Sequence, residues 1–251
     1  VYGQWAEGFR LGSPAVQLPT FCDVNEDGLI DGLGVPPSPT EPDELESYEV
    51  GVKTSLAGDR VTLNLSVYRV NWHGMPVAIL PECLAAFEFN VGHSKSEGIE
   101  LEMQALLSPD FKVGASAAYG EATITEDVTN VIGFGSRGDN LPGSSDYNVS
   151  LNAEYDFSLA GYDAFARVDY SYVGEFYHNF SEQGQASGGY GLLHLKAGVT
   201  ISDLRVDIFA KNLMNEDGFT WVEATLGNSV GTGRAYRVRP RTLGMNISYT
   251  F

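Results

Sequence analysis

The sequence predicts an all-β chain in which about ten antiparallel strands form the wall of a transmembrane β-barrel. Three observations predict it. Segments of about a dozen residues alternate apolar and polar side chains. The connections between them are short and long in turn. No apolar run approaches the ~18 residues that a spanning helix needs. Alternation with period two gives each strand one face for an apolar medium and one for a polar medium. Connections that are short at one end and long at the other fit an outer-membrane barrel, with periplasmic turns and extracellular loops. A soluble sandwich gives loop length no reason to segregate by end, although Greek-key connections can imitate the pattern.

The elements follow in chain order. A weak strand lies near 1–7, and another near 46–56. At 60–70, Val61, Leu63, Leu65 and Val67 oppose Thr62, Asn64, Ser66 and Tyr68. At 98–107, Ile99, Leu101, Met103, Ala105 and Leu107 oppose Glu100, Glu102 and Gln104. A weaker strand at 111–124 follows. At 147–157, Tyr147, Val149, Leu151, Ala153, Tyr155 and Phe157 oppose Asn148, Ser150, Asn152, Glu154 and Asp156. Weaker alternation continues at 162–175 and 190–200. At 204–211, Leu204, Val206, Ile208 and Ala210 oppose Arg205, Asp207 and Lys211, with Phe209 interrupting the polar face. The last strand sets Leu243, Met245, Ile247, Tyr249 and Phe251 against Thr242, Gly244, Asn246, Ser248 and Thr250.

Tight turns are expected at Ala57–Asp59, Ser108–Asp110, Leu159–Gly161 and Ile201–Asp203. Long loops are expected near 8–44, 73–93, 125–145, 176–189 and 212–238. Phe251 then faces the periplasm and all five long loops face outside. Phe111, Tyr155, Phe157, Tyr162, Tyr249 and Phe251 gather near strand ends, as an interfacial girdle requires, although β-propensity alone also favours aromatics in strands.

Composition agrees. The chain has 251 residues, 43% of them hydrophobic, and a mean hydropathy of −0.12. A helical membrane protein is excluded, but a barrel needs only every second residue to be apolar. The 29 glycines and 13 tyrosines suit tight turns, a narrow lumen and interfacial anchoring. A formal net charge of −18 argues against nucleic-acid binding, which needs a basic face. The acids read first as solvating loops and lumen, and second as a mouth that attracts cations. Val1, Tyr2 and Gly3 already read as strand, with no signal peptide. The expectation is that the chain is mature or lacks its own front, with the second favoured. Spacing alone leaves open whether ten strands close a small barrel or belong to a larger one.

Short blocks carry a family resemblance. YGQWAEGFRLG at 2–12, PDELESYEVGVKT at 42–54, NVGHSKSEGIELE at 90–102, VDIFAKNLMNED at 206–217 and RPRTLGMNISYTF at 239–251 resemble, in order, strand motifs of TonB-dependent outer-membrane receptors. The resemblance implies the C-terminal portion of a barrel of 22 strands with a plugged lumen. It implies an outer-membrane location in bacteria, contact with membrane lipid, and an energy-transducing periplasmic partner engaged through an N-terminal part that this sequence does not contain. It also implies a small-molecule ligand, not identified by this sequence. Met245, Ile247, Tyr249 and Phe251 resemble the terminal signal read by the outer-membrane assembly machinery, with Tyr249 and Phe251 at its end.

Two further features are candidate sites. In DVNEDGLID at 23–31, Asp23, Asn25, Asp27 and Asp31 stand at alternating positions around Gly28, as in calcium loops. Gly34 stands where a hand of the helix–loop–helix kind has Glu, so the pattern is nearer to short extracellular calcium loops, with affinity on the order of 10⁻⁴ to 10⁻³ M. Calcium is the only cofactor expected. Cys22 and Cys83, the two cysteines, lie in neighbouring long loops on the same expected side, in an oxidising compartment, and are expected to form a disulfide. His73, His93, His178 and His194 show no metal-ligand spacing and no nucleophile motif. The function expected is energised uptake of a scarce nutrient such as an iron–siderophore complex, without enzymatic activity. The alternatives are a small self-closed barrel acting as a passive porin, or a surface hydrolase.

Overall fold

In a computed structural model, the structure describes residues 1–79, 81, 83, 85–128, 135–180, 182, 185–222 and 234–251. The strands are β1 (Tyr2–Arg10), β2 (Asp43–Leu56), β3 (Val61–His73), β4 (Pro76–Ile79), β5 (Phe87–Asn90), β6 (Ser94–Ser108) and β7 (Phe111–Ile124). They continue with β8 (Tyr147–Leu159), β9 (Tyr162–Val173), β10 (Tyr190–Ile201), β11 (Leu204–Lys211), β12 (Phe219–Val222), β13 (Ala235–Arg237) and β14 (Thr242–Tyr249). Ten of them form one sheet in the order β1-β2-β3-β6-β7-β8-β9-β10-β11-β14, and every pairing is antiparallel. The pairs β4·β5 and β12·β13 are separate hairpins. β1 and β14 are not paired with each other, so the ten strands stand as an open wall.

The expected strands are all present, several of them longer than the alternation alone marks. β1 reaches Arg10, β2 begins at Asp43 and β6 begins at Ser94. Apart from Phe9 and Leu45 these extensions are polar, charged or glycine, so no continuous apolar stripe announces them. The loops expected at 73–93 and 212–238 each contain a short hairpin, and the loop expected at 8–44 contains a 3-10 turn at Thr20–Cys22. Residues 129–134 and 223–233 of the expected long loops lie outside the described residues. The turn between β8 and β9 is Ala160 and Gly161 with φ of 52° and 87°. That handedness matches the strand twist and is the reason a two-residue hairpin works there.

The register carries each apolar stripe straight across the wall. Val50 faces Val67, which faces Ile99, then Tyr119, then Tyr147. Lower down, Phe111 faces Tyr155, then Ala166, Ala197, Ile208 and Met245. These side chains are not buried: Val67 is 50% accessible, Ile208 58% and Met245 59%. In water so broad an apolar surface would be a liability; against lipid it is the ordinary outside of a barrel. Along β3, Val61 to Arg69 is about 27 Å of strand at the usual rise. Tilted by about 40°, it spans about 20 Å, close to the apolar height of such barrels. Tyr48, Tyr119 and Tyr147 mark one edge of the band. At the other, Phe111 meets Tyr155 edge to face and Tyr155 stacks on Phe157, with centroids 6.1 and 5.9 Å apart.

The inner face is polar, and its aromatics lie flat. A Cβ added to Gly198 would sit 2.5 Å from Phe165. One added to Gly51 would sit 2.6 Å from the Tyr2 ring, and one at Gly120 2.6 Å from the Tyr68 hydroxyl. Phe209, which interrupts the polar alternation in the sequence, lies across Gly244 in the same way. Each ring covers a neighbouring glycine that would otherwise leave backbone bare. We expect Gly198→Ala in the full-length protein to lower stability by about 1–3 kcal/mol through overpacking against Phe165. Gly8→Ala, with nothing within 4 Å, should be close to neutral. Urea unfolding in detergent measures both.

Candidate functional site

The inner face carries a continuous polar surface. Lys53, Asn64, Glu102, Ser116, Ser150 and Ser171 occupy one cross-strand row. This row lines a groove of about 600 Å³, to which Glu49 and Glu100 also contribute and in which Lys53 is the single lysine. Tyr2 donates a hydrogen bond to Glu49. Farther along the wall the charges alternate and pair. Lys112 lies 3.0 Å from Asp156 and 3.5 Å from Glu154; Arg167 lies 3.3 Å from Glu154 and 2.6 Å from Asp169. Asp207 receives Lys196 at 3.2 Å and Arg205 at 3.0 Å, and both cations sit over the Phe165 ring. Opposite charges on neighbouring strands hold register as well as polarity. The single sequence rule of alternation placed all of these groups on one face.

Outside the membrane band, the segments that join β1 to β2 and β3 to β6 pack into a lobe with its own core. Cys22, Ile30, Met75, Ile79, Phe87, Phe89 and Val91 are buried there, with Leu18, Leu33, Val35 and Val77 around them. This core is absent from the sequence reading, because its residues lie either in irregular segments or in β4 and β5, strands of four residues too short for a period to show. The expected disulfide is present: Cys22 and Cys83 are bonded, with Cα atoms 5.3 Å apart across a sequence separation of 61. Closing a loop of that length stabilises by about 4 kcal/mol in the chain-entropy account.

A charged latch sits at the foot of the lobe. Arg10 at the end of β1 donates through Nε to Asp43 Oδ1 at 2.9 Å and through a terminal nitrogen to Oδ2 at 2.7 Å. The Trp72 indole N–H donates to the same Oδ2 at 2.6 Å, and Arg10 stacks over the Trp72 ring. Asp43 is only 5% exposed. Its Arg10 partner, helped by Trp72, holds its carboxyl below the ordinary value of 3.8 against the opposing effect of burial. Alongside, the Glu41 N–H donates to Asn90 Oδ1 at 2.7 Å, and Asn90 Nδ2 donates back to the Glu41 carbonyl at 3.1 Å.

Asp23, Asn25, Asp27 and Asp31 are brought into one loop that turns at Gly28, φ 79°. Asp23 accepts from the N–H groups of Asp27 at 2.9 Å and Gly28 at 3.1 Å. Asp27 accepts from Leu29 at 2.8 Å, and Asp31 accepts from Val24 at 2.9 Å. The side chains thus close the turns of their own loop. Among the described residues, no group of three or more His, Cys, Asp or Glu side chains is arranged to hold a metal ion.

Distant histidines meet where spacing gave no sign of it. The His73 and His93 rings contact edge to face at 5.0 Å. His178 Nε2 and Ser187 Oγ are 3.0 Å apart, and Trp221 lies against the same imidazole at 3.7 Å. Burial holds His178 below its ordinary range. Ser187 is fully buried, so this pair fastens the loop and presents no nucleophile to solvent. At the other end of the wall, Tyr249 and Phe251 are exposed and packed edge to face at 5.1 Å.

A wall with a lipid face, a charged inner face and an extracellular lobe defines part of an outer-membrane barrel. The family model described as "TonB dependent receptor-like, beta-barrel" matches residues 1–213, and the chain belongs to that family. Its location is therefore the outer membrane. The chain is 29% identical over 160 residues to the metal-pseudopaline receptor CntO of Pseudomonas aeruginosa, covering 62% of this chain and 21% of that protein. It is 25% identical over 87 residues to the probable TonB-dependent siderophore receptor PiuA of Acinetobacter baumannii, covering 35% of this chain and 11% of that protein. Among solved structures, the ferric yersiniabactin uptake receptor FyuA of Yersinia pestis superposes with a TM-score of 0.76 at 18% identity, over 99% of this chain and 34% of that one. The ferric preacinetobactin receptor BauA of Acinetobacter baumannii gives 0.68 at 18% identity, over 98% and 33%. The chain thus spans about a fifth of the CntO sequence and a third of those solved receptors.

The latch yields a pH-dependent expectation. Because the folded Asp43 carboxyl is held below its ordinary value, its contribution is complete above that value and is lost as pH falls through the folded one. Asp43→Asn should remove about 1–2 kcal/mol near neutral pH and abolish that acid-side loss. Urea titrations of the full-length protein at pH 7 and pH 3 check both.

Proposed function

We propose that this wall serves energised uptake of a scarce nutrient, a metal–chelate complex such as an iron siderophore, across the outer membrane. The observation that carries the reading is the three-way division of the chain. Apolar stripes face lipid, a charged surface faces inward, and a cored lobe stands at the extracellular end. A nonselective pore has little use for a cored and cross-linked lobe at its mouth. The names of the relatives, receptors for metal-pseudopaline, ferric yersiniabactin and ferric preacinetobactin, support the same class of ligand. In this reading a periplasmic energy-transducing partner drives transport through parts of the receptor outside this sequence. The outer-membrane assembly machinery reads the strand that ends in Tyr249 and Phe251.

The experiment uses the full-length receptor in cells stripped of other chelate receptors. It should restore accumulation of radiolabelled metal chelate, and collapsing the proton gradient should abolish it. Deleting Phe251 should lower the amount of receptor in the membrane without changing uptake per molecule. Ion conductance in planar bilayers without a coupling partner, together with no chelate uptake, would favour the passive pore.

Calcium is a separate proposal, supported by the Asp23, Asn25, Asp27, Asp31 pattern and the wrap of their loop around Gly28. Calorimetry on the full-length receptor should show binding on the order of 10⁻⁴ to 10⁻³ M, lost in Asp27→Ala. No heat at millimolar calcium would remove it.

A further inference from the structure

Residues 11–42 form a long connection whose only regular element is the 3-10 turn at Thr20–Cys22. Pro14, Pro19, Pro36, Pro37, Pro39 and Pro42 deny it backbone donors. A connection of this length with so little secondary structure holds one conformation only when its side chains pack or its chain is tied. Here both occur, and against the same neighbour. Cys22 and Ile30, fully buried, contribute to a core whose other buried members, Met75, Ile79, Phe87, Phe89 and Val91, lie at 75–91. At the base, Glu41 and Asn90 exchange hydrogen bonds. The Cys22–Cys83 bond is the covalent tie between the two segments.

We propose that this disulfide is a redox latch that sets whether the extracellular lobe is folded, independently of the membrane wall. In the oxidised state, residues 11–42 stand as a fixed rampart at the mouth. Reduction by a low-molecular-weight thiol proceeds by two exchanges. The first thiolate attacks one cystine sulfur, forming a mixed disulfide and releasing one protein thiolate, which takes up a proton. A second thiol then resolves the mixed disulfide. The products are the Cys22 and Cys83 thiols and one external disulfide, so two electrons enter the protein. The freed segment then keeps the Glu41–Asn90 tie at its base and becomes a loose strap. The wall keeps its ladder because no strand of the ten-stranded sheet contains either cysteine.

Limited proteolysis of the full-length receptor in outer-membrane vesicles tests this, using a chymotrypsin-type protease with and without a dithiol, and with alkylation to verify reduction. Phe21 and Leu11, 63% and 82% exposed, offer reporter sites. Cleavage within 11–42 should accelerate at least about tenfold on reduction and return to its slow value on reoxidation. The heat-modified gel mobility of the barrel should not change. Cys22→Ser combined with Cys83→Ser should match the reduced protein without any reductant. A cleavage rate unchanged within about twofold after both thiols are labelled would overturn the proposal. So would labelling of both cysteines before reductant, or loss of the barrel mobility along with the lobe. None of these readouts requires a ligand, so the result stands apart from the transport assay.

Discussion

The rest of the structure depends on one constraint: in hydrocarbon, every backbone N–H and C=O must find a partner within the protein. The ten-stranded ladder answers it strand by strand, from β1 to β14. It leaves one row of backbone groups at the outer edge of β1 and another at the outer edge of β14. Those two rows cannot face lipid, so they define where further protein must meet the wall. Everything else follows from keeping the ladder unbroken. Short turns close one end, long connections are confined to the other, and each side chain must face either lipid or lumen.

The membrane also explains how much of the fold was legible. The faces of the strands follow from period-two alternation, which lipid enforces on one side only; the register, and with it the partners of Lys112, Arg167 and Asp207, comes from the strand pairing. Where lipid stops acting, the signal stops as well. Asp43 to Leu45 and Ser94 to Glu97 extend their strands in residues that are polar except for Leu45, without a stripe to show it. Inside the loops, Phe87 and Phe89 look like ordinary alternation too short to interpret, and Ile30 like an isolated apolar residue. Their common core appears only once two segments about fifty residues apart are side by side. The cysteine pair was readable because covalent chemistry needs only two residues and a compartment. The contact between His73 and His93 was not, since neither spacing nor charge announces it.

The inner face deals differently with its bulky groups. Tyr2, Tyr68, Phe165 and Phe209 each lie across a glycine on an adjoining strand. This arrangement serves two needs at once. It shields backbone that glycine leaves bare, and it keeps the rings from projecting inward. At Phe165 the cations of Lys196 and Arg205 add their charge above the ring, and Asp207 ties both down. The polar groups there are therefore engaged with one another; Glu49, Glu100 and Glu102 border an open groove, with Glu49 accepting from Tyr2 and Glu102 from Asn64.

The lobe has a consequence for how such a receptor changes over evolutionary time. Its cohesion comes from oil-like burial, a charged clasp and a covalent cross-link, the means by which a small secreted domain holds itself together. The palisade beneath obeys a different solvent. Replacements in the outer crown can therefore accumulate under pressure from whatever the cell meets outside, while the barrel staves keep their alignment. One polypeptide thus carries two regions free to diverge at different speeds.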